Sequence, residues 1–326
     1  MYETKLKLVE TEKAIKIIKD KFEKNLAENL NILRVSAPLF VSAASGLNDD
    51  LSGIERAVSF DLKSGELSVI VHSLAKWKRM ALDTYEFKAG TGLYTDMNAI
   101  RRDEDLDEIH SYYVDQWDWE KVILKEDRTL LTLEATVKKI YSAMKKAEHE
   151  ITSLYPVLTK KLPEEIVFIS SQKLEEEFPT LTPKEREHAI ARKHGAVFIT
   201  EIGHFLNSGN KHDGRAPDYD DWNLNGDIIV YYEPLDIGLE LSSMGIRVDE
   251  NSLKSQLKSA NAEDRVKYDY HQRILNGTLP YTIGGGIGQS RFCLFLLDKL
   301  HIGEVQCSIW PKEMIEEYKK KNINFL

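Results

Sequence analysis

The chain has 326 residues, of which 30% are charged and 42% hydrophobic, so it can form one large globular domain or two. Its formal net charge of −9 argues against general affinity for nucleic acid, although a local basic patch is compatible with it. No run reaches the roughly 18 apolar residues of a membrane span, and the N-terminus lacks the apolar core of a signal peptide. We therefore expect a cytoplasmic protein, with Cys293 and Cys307 as reduced core residues.

The N-terminal part combines an amphipathic helix with a strand. Apolar side chains recur at helical spacing over residues 9–30, which predicts one helix there. A strand is predicted over Leu33–Phe40, and because Pro38 cannot donate to a ladder, it marks an edge or the strand's end. The unit over residues 9–40 suits either the core or a dimer interface, and both remain open.

A basic cluster follows the next predicted strand, Leu67–Ser73. Lys76, Lys78 and Arg79 surround a tryptophan, a composition typical of a solvated helix start. The preceding loop, residues 42–53, is rich in small residues and in Asn and Asp, and is expected to be flexible.

Two strands are predicted over residues 92–100 and 111–120, joined by a charged loop. In the second strand, the alternation places Gln116 and Asp118 on one face and two tryptophans on the other. Because buried polar side chains need partners, a ligand with a cationic amine would suit this face. A sheet with one solvated face explains the pattern nearly as well.

Helices and strands alternate through the middle of the chain. Apolar spacing predicts a helix over residues 133–147, and a capping box at Thr182–Glu185 begins another helix, which Gly195 ends. A strand is predicted over residues 196–202. The acidic and aromatic loop at 207–221 is typical of a functional lid, with a solvated loop as the default alternative.

The C-terminal third begins with a predicted hairpin, formed by residues 227–232 and 239–248. Its second strand carries polar Glu240, Ser242 and Arg247 within an apolar alternation. Paired strands with helices between them, without repeat or linker, predict a single α+β domain over the whole chain around a largely antiparallel sheet of about six to eight strands. Further predicted elements are helices over 251–260 and 263–276 and a last strand over Val305–Trp310.

A glycine-rich stretch precedes the last apolar run, with Arg291 three residues beyond its final glycine. Alternate glycines leave one face of an extended segment bare, so a ring or a phosphate can lie on the backbone, and Arg291 can pair with phosphate oxygens. A P-loop is excluded because no lysine follows, and a dinucleotide fingerprint because an arginine replaces its third glycine. A tight strand-to-helix turn is the alternative to a nucleotide floor. The glycines are Gly284, Gly285, Gly286 and Gly288.

Together these segments resemble the catalytic core of class II aminoacyl-tRNA synthetases, closest to the aspartate and asparagine subgroup. More specifically, the chain resembles the ammonia-dependent asparagine synthetases (aspartate–ammonia ligases, type A), which share that core. The unit ending at Pro38 resembles class II motif 1, residues 101–120 resemble motif 2 and residues 284–291 motif 3. Each match is a weak signal, whereas the ordered set is specific. The matching stretches are NDDLSG (48–53), HSLAKWKR (72–79), GLYTDMNAIR (92–101), VDQWDWE (114–120), RAPDYDDW (215–222), LNGD (224–227), ELSSMGIRVD (240–249) and GGGIGQSR (284–291).

The resemblance implies a class II synthetase fold and an ATP site. Arg101 or Arg102 would hold the α-phosphate, with Arg101 preferred, and Glu104 would lie near the adenine. Arg291 would clamp the terminal phosphate above the four glycines. Asp227 would share a Mg²⁺ ion with the glutamate of the ELSSMGIRVD stretch, Glu240.

The resemblance also implies a pocket for L-aspartate. Lys78 and Arg247 match positions that bind the aspartate side-chain carboxylate in aspartyl-tRNA synthetases, and Asp118 would face the α-ammonium. The other residues assigned to this pocket are Ser73, Gln116, Tyr219, Asp220, Ser242 and Ser243.

The implied reaction joins aspartate and ammonia at the expense of ATP. The β-carboxylate attacks the α-phosphorus to give β-aspartyl-AMP and pyrophosphate, and ammonia then displaces AMP. Arg101, Arg291 and Asp49 are the predicted catalytic residues; Asp49, in the loop that corresponds to the synthetases' mobile flap, or Asp220 would accept a proton from ammonium. Nothing resembles a glutaminase, so free ammonia is the expected nitrogen source. A homodimer built on residues 9–40 is also implied.

Two other functions remain open. An enzyme that transfers activated aspartate or asparagine to a tRNA or another acceptor is the main alternative, although the region before motif 1 is too short for an anticodon-reading barrel. A regulatory paralogue would be expected to lack a phosphate-binding arginine or a metal carboxylate, and all candidates are present. We therefore predict neither a nucleic-acid nor a membrane partner.

Overall fold

The computed structural model describes residues 3–49 and 55–326. Its strands are β1 (Ile32–Arg34), β2 (Phe40–Ser42), β3 (Ser59–Asp61), β4 (Leu67–Ile70), β5 (Gly92–Ile100), β6 (Tyr113–Val122), β7 (Val167–Ser170), β8 (Ala196–Thr200), β9 (Asp220–Tyr232), β10 (Ile237–Arg247) and β11 (Thr282–Gly288). An eight-stranded sheet has the order β1-β5-β6-β11-β10-β9-β8-β7. Only β1–β5 and β7–β8 are parallel pairs in it, so the predicted largely antiparallel sheet is confirmed.

Helices lie before, between and after these strands. They are α1 (Leu8–Leu30), α2 (Ala75–Thr84), α3 (Leu130–Leu154), α4 (Ser171–Glu177), α5 (Pro183–His194), α6 (Glu250–Ser259), α7 (Asp269–Leu275), α8 (Gln289–Leu296) and α9 (Lys312–Lys320). The capping box of α5 is confirmed, since Thr182 and Glu185 satisfy each other's backbone N–H groups. Gly195 ends this helix at a φ of 79°, a conformation that favours glycine. Within the described residues, no helix is long and apolar enough to cross a bilayer.

The main core lies on the tryptophan face of β6. Phe22 of α1 packs against Trp117, with ring centroids 4.5 Å apart, and against Phe292 of α8 at 5.0 Å. The predicted alternation along β6 is therefore confirmed on this face: Trp117 and Trp119 are fully buried in the core. Gln116, the residue before Trp117, points to the other face of the sheet, where the candidate site lies.

The predicted strand over Leu33–Phe40 is wrong, because the structure divides it between two sheets. β1 pairs in parallel with β5 at the edge of the main sheet. β2 pairs with β4 in a separate antiparallel sheet of order β2-β4-β3, which the sequence did not predict. The break contains Pro38, which cannot continue a ladder.

Other expectations also need correction. Residues 305–310 form no strand, because Gln306 donates to Ser290 Oγ at 3.0 Å and Trp310 packs on Phe325 instead. Cys307 is exposed, and only Cys293 belongs to the core.

The basic cluster at the start of α2 is also not solvated. Lys76, Lys78 and Arg79 are all buried, and Arg79 donates to Val248 O at 2.7 Å and to Pro280 O at 2.9 Å. The helix predicted over 263–276 is divided into a 3₁₀ turn at Glu263–Lys267 and α7.

Candidate active site

The glycines of β11 bring neighbouring side chains close to the backbone in the middle of the sheet. A Cβ added to Gly286 would lie 2.3 Å from Gln116 Oε1, and one added to Gly284 would lie 2.0 Å from Glu120 Oε2. The glycines therefore form an extended strand, and the alternative of a tight turn is wrong. Gly284 lies beneath Glu120 and lines neither of the two cavities described next, whereas Gly285, Gly286 and Gly288 each line at least one of them.

A first cavity, here called the Arg291 cavity, has a volume of about 200 Å³. Arg291 donates to Ile109 O at 3.4 Å and to Glu240 O at 3.3 Å, and its Nη1 lies 3.9 Å from Glu240 Oε2. These long contacts leave guanidinium N–H groups available for an anion. The predicted residues that line this cavity are Arg101, Glu104, Gln116, Glu240, Ser242, Gly286, Gly288 and Arg291.

Arg101 and Arg102 differ in position. Arg101 lines the Arg291 cavity, and its Nη1 lies 3.6 Å from Glu104 Oε2. Its Nε is buried and has no hydrogen-bond partner among the described residues. Arg102 is exposed and lines neither this cavity nor the next one. Of the two candidate arginines, Arg101 therefore lies at the cavity and Arg102 does not.

A second cavity, the Lys78 cavity, has a volume of about 300 Å³ and adjoins the first. Arg101, Gln116, Glu240 and Gly286 line both cavities. Basic and acidic side chains both reach the Lys78 cavity, which suits a zwitterionic ligand. The predicted residues that line it are Asp49, Ser73, Lys78, Arg101, Gln116, Asp118, Tyr219, Asp220, Glu240, Ser243, Arg247, Gly285 and Gly286.

Lys78 is fully buried at the floor of its cavity. Its ammonium forms an ion pair with Asp118 and donates to Trp119 O at 3.0 Å and to Gly285 O at 3.1 Å. Burial lowers the pKa of Lys78, while Asp118 opposes that shift. A lysine at the first turn of α2 can reach this position because α2 packs on β6 and β11.

Arg247, at the end of β10, is the centre of a second buried charge network. Its guanidinium donates to both oxygens of Glu120, at 2.9 and 2.7 Å, and forms an ion pair with Asp220. Thr282 Oγ1 donates to Glu120 at 2.7 Å. The pKa of Arg247 rises well above its usual value because the two carboxylates outweigh its burial. This network holds the guanidinium in place before any ligand arrives.

Asp49 and Tyr219 close the other side of the Lys78 cavity. The Tyr219 hydroxyl donates to Asp49 Oδ2 at 3.0 Å, and Asp49 O lies 3.0 Å from His72 Nδ1. Ser73 Oγ accepts from Ala75 N at the start of α2 and borders the same cavity. The NDDLSG stretch beyond Asp49 lies outside the described residues from position 50.

The two predicted metal ligands lie on neighbouring strands. Asp227 of β9 is opposite Ser243 of β10, and it forms a buried ion pair with Arg215. A bulge at Leu241 shifts the alternation of β10, so that Glu240 and Ser243 both line the Lys78 cavity. Burial raises the pKa of Asp227 to about 8 against the effect of Arg215, and Glu240 adds a like charge. Asp227 itself lines neither cavity.

Sequence reasoning assigned no role to several charged residues that the structure brings to the site. Glu120 binds Arg247, and Arg215 binds Asp227 while lining the Lys78 cavity. Both residues belong to matched stretches, which was the available signal. Arg247, the partner of Glu120, is 127 residues away along the chain. Asp227 lies 12 residues beyond Arg215 on another element, so neither pairing can be read from local spacing.

Comparisons with known proteins identify relatives over the whole chain. A family model described as aspartate-ammonia ligase (AsnA) matches residues 9–322. An aspartate–ammonia ligase from Fusobacterium nucleatum is 66% identical, covering 100% of this chain and 99% of the relative. Proteins of the same name from Clostridium perfringens and Pediococcus pentosaceus are 63% and 56% identical, covering 100% of this chain and 97% and 98% of the relatives.

Solved structures with the same fold are class II synthetases. Asparaginyl-tRNA synthetase from Entamoeba histolytica, in complex with asparaginyl-adenylate, aligns with a TM-score of 0.62 at 15% identity, covering 91% of this chain and 66% of that one. The enzyme from Pyrococcus horikoshii aligns with a TM-score of 0.60 at 12% identity, covering 92% and 70%. These neighbours confirm the predicted class II fold. The family match over residues 9–322, together with the relative that is 66% identical over the full length of this chain, shows that the chain belongs to the aspartate–ammonia ligase family.

Proposed function

We propose that the Arg291 and Lys78 cavities form one active site, which makes L-asparagine from L-aspartate, ammonia and ATP. The observation that carries this proposal is the wall that the cavities share. Arg101 and Gln116 line both, so a nucleotide in one cavity and an amino acid in the other would meet beside a guanidinium. Bringing a carboxylate and a phosphorus into line at such a junction removes much of the entropic barrier.

In the first step, a β-carboxylate oxygen of aspartate attacks the α-phosphorus and pyrophosphate leaves. Negative charge accumulates on phosphate oxygens in this step, and Arg101 and Arg291 are placed to stabilise it. One such donor typically contributes about 3 kcal/mol in the transition state. Each guanidinium has long protein contacts that phosphate oxygens can replace.

The Lys78 cavity would recognise the amino acid by exchanging partners. In the structure, Asp118 pairs with Lys78. An aspartate ligand would offer its α-ammonium to Asp118 and a carboxylate to Lys78 and Arg247, so that every buried charge keeps an opposite charge nearby. Ser73, Gln116, Tyr219, Asp220 and Ser243 would line the remaining space, whereas Ser242 lines the Arg291 cavity instead of the predicted amino-acid pocket.

Asp227 and Glu240 would hold Mg²⁺, and the residues fit that ion. Asp227 is buried on β9, and the like charge of Glu240 acts on it, so a cation between the two carboxylates would relieve their repulsion. Mg²⁺ is commonly bound by one or two carboxylates together with substrate phosphates and water. The described residues contain no group of three or more His, Cys, Asp or Glu side chains that could hold a metal by themselves, so substrate oxygens and water would have to complete the coordination. When bound, the ion would neutralise the pyrophosphate oxygens and orient them.

In the second step, ammonia attacks the β-carbonyl carbon and AMP leaves. Because ammonium predominates at neutral pH, a carboxylate must accept one proton. Asp220 is already paired with Arg247, whereas Asp49 accepts a hydrogen bond from Tyr219 at the cavity wall. We therefore assign this role to Asp49.

The reaction is tested by incubating the purified protein with ATP, MgCl₂, L-aspartate and ammonium chloride. We expect AMP, pyrophosphate and asparagine in equal amounts, and no asparagine when glutamine replaces ammonium. Release of AMP without asparagine, or amide formation from glutamine alone, would contradict the proposal. Transfer to a tRNA is not favoured, because the full-length relatives are named as ligases.

We also infer a homodimer built on residues 9–40. Leu33 and Leu39 are 63% and 50% exposed, and β1 lies at the edge of the main sheet. Apolar side chains on an open edge favour pairing with a second copy. Leu33→Glu should shift the dimer to monomer in sedimentation velocity, whereas Leu131→Glu, at a 77% exposed position of α3, should not. A wild-type protein that sediments as a monomer would exclude this assembly.

We propose a cytoplasmic location. Cys293 and Cys307 are free thiols, which suits a reducing compartment in which ATP is also available. Fractionation of cells that make the protein at its natural level tests this location.

A further inference from the structure

Arg215 pairs with Asp227, a carboxylate that the proposed function assigns to a metal ion. Its Nη2 pairs with Asp227 Oδ1, and the two side chains are only 12% and 5% exposed. The Nε of Arg215 is also buried and has no hydrogen-bond partner among the described residues. Arg215 lines the Lys78 cavity together with Glu240, the second carboxylate of the proposed site. The guanidinium of Arg215 therefore provides the counter-charge to Asp227 and lies in the same cavity as Glu240.

The chain on the C-terminal side of Arg215 is firmly anchored. Asp218 is fully buried and contacts three cationic or imidazole groups, Lys76 Nζ at 3.2 Å, Arg265 Nη1 at 3.0 Å and His271 Nε2 at 3.0 Å. These partners come from three different elements, so they fix the backbone just after Arg215.

The N-terminal side of Arg215 is more open. Asp213 and Gly214 are exposed, and a Cβ added at Gly214 would meet nothing within 4 Å. Among the described residues, the Arg215 side chain donates a hydrogen bond only to Asp227. The guanidinium can therefore leave Asp227 without disturbing the anchored segment that carries Tyr219 and Asp220.

We propose that Arg215 is an internal counter-cation that competes with the divalent metal for Asp227, and that it moves to substrate oxygens when metal and nucleotide bind. This inference rests on the metal site of the proposed function. While Arg215 holds Asp227, a divalent ion meets a carboxylate that is already neutralised. Anionic substrate groups give the guanidinium an alternative partner, so they release the carboxylate for the metal. Metal and nucleotide binding are thereby positively coupled.

The test is a calorimetric titration with Mg²⁺ alone, without nucleotide, because ATP itself binds the ion. In Arg215→Gln the competing charge is absent, and we expect Mg²⁺ to bind at least about tenfold more tightly than to the wild type. Arg215→Lys keeps a positive charge but lacks the planar guanidinium, so its Mg²⁺ affinity should lie between those of the wild type and Arg215→Gln. Arg192→Gln is the matched control, since it breaks an exposed pair with Asp236 outside the site.

Asp227→Asn distinguishes a failure of the proposed competition from a failure of the metal-site assignment. If this variant and its combination with Arg215→Gln both lose Mg²⁺ binding, Asp227 is a metal ligand. If Arg215→Gln then binds Mg²⁺ no more tightly than the wild type, the competition is refuted while the metal site stands. If the double variant binds as tightly as Arg215→Gln alone, the metal lies elsewhere, and both this inference and the Asp227 assignment fail. Should Arg215→Gln not fold, the same comparison is made with Arg215→Lys, whose affinity must exceed that of the wild type.

Discussion

The Lys78 cavity and the Arg291 cavity hold their cationic groups in opposite ways. The side chains of Lys78 and Arg247 are 1% and 2% exposed, and each forms short contacts with a buried carboxylate. The side chains of Arg101 and Arg291 are 29% and 22% exposed, and their contacts with acidic side chains are 3.6 and 3.9 Å long. Ion pairs therefore fix the cationic side chains of the Lys78 cavity, whereas the guanidinium groups of the Arg291 cavity keep N–H donors that a ligand can use.

Burial explains this difference. A buried charge without a partner is costly, so the protein must provide one until the amino acid replaces it. In the Arg291 cavity the side chains of Arg101 and Arg291 are partly exposed, so water can solvate them until a nucleotide binds. The comparison predicts that substitutions in the Lys78 cavity damage both stability and activity, whereas those in the Arg291 cavity damage activity alone.

The largest effect is expected for Arg247→Ala. Removing this guanidinium leaves Glu120 and Asp220 buried together without their cation, which should lower the free energy of unfolding by about 3–5 kcal/mol and abolish asparagine synthesis. Urea denaturation followed by tryptophan fluorescence measures the stability. Arg192→Ala, which removes an exposed ion pair, should change it by less than about 1 kcal/mol. Equal effects of the two substitutions would remove the proposed distinction between the cavities.

Arg291→Ala should separate activity from stability. We expect kcat to fall about 10²–10³-fold, because one donor to the developing phosphate charge is lost. The urea midpoint should stay close to that of the wild type, since the Arg291 side chain makes only long contacts. Loss of stability comparable to that of Arg247→Ala would show that Arg291 is a structural residue instead.

The sequence could predict features set by local patterns, but not the partners of the buried charges in the Lys78 cavity. Local patterns located β5 and the alternation of Gln116 and Trp117, because side chains alternate strictly along a strand. The burial of Lys78 could not be predicted, because Lys-Trp-Lys-Arg at a helix start is usually solvated. Its partners Asp118 and Glu120 lie on β6, about 40 residues along the chain, and only the packing of α2 on β6 reveals them.

Asp49→Asn tests the second half-reaction. It removes the proposed proton acceptor but keeps a side chain that can accept a hydrogen bond from Tyr219. Asparagine formation should fall about 10²-fold at saturating ammonium, because the general base is lost, while aspartate-dependent exchange of pyrophosphate into ATP continues. Tyr219→Phe is the control, since it removes the hydroxyl but leaves the carboxylate. Wild-type turnover by Asp49→Asn would assign the proton transfer to another group.

The smallest expected effect is the pH dependence of stability that comes from His301, a buried residue next to the Arg291 cavity. His301 is buried against Trp310, Tyr318 and Phe325, and burial lowers its pKa to about 4. It precedes Ile302, which lines the cavity. Because its pKa in the folded protein lies below the value of about 6.5 expected in the unfolded chain, the unfolded chain binds the proton first. The contribution of neutral His301 to stability is complete above about pH 6.5 and is lost as the pH falls towards 4.

His301→Phe isolates this effect, because phenylalanine keeps the aromatic packing but does not titrate. Between pH 6.5 and 4, the unfolding free energy of the wild type should fall by roughly 2 kcal/mol more than that of the variant. In the wild type, His301 Nδ1 accepts a hydrogen bond from Gly303 N, and His301→Phe lacks this bond at every pH. Its loss therefore shifts the unfolding free energy of the variant by a constant amount and does not change its dependence on pH. His149→Asn, at an exposed position of α3, should leave the slope unchanged. If the unfolding free energies of the wild type and His301→Phe fall in parallel between pH 6.5 and 4, protonation of His301 does not contribute to the loss of stability at low pH.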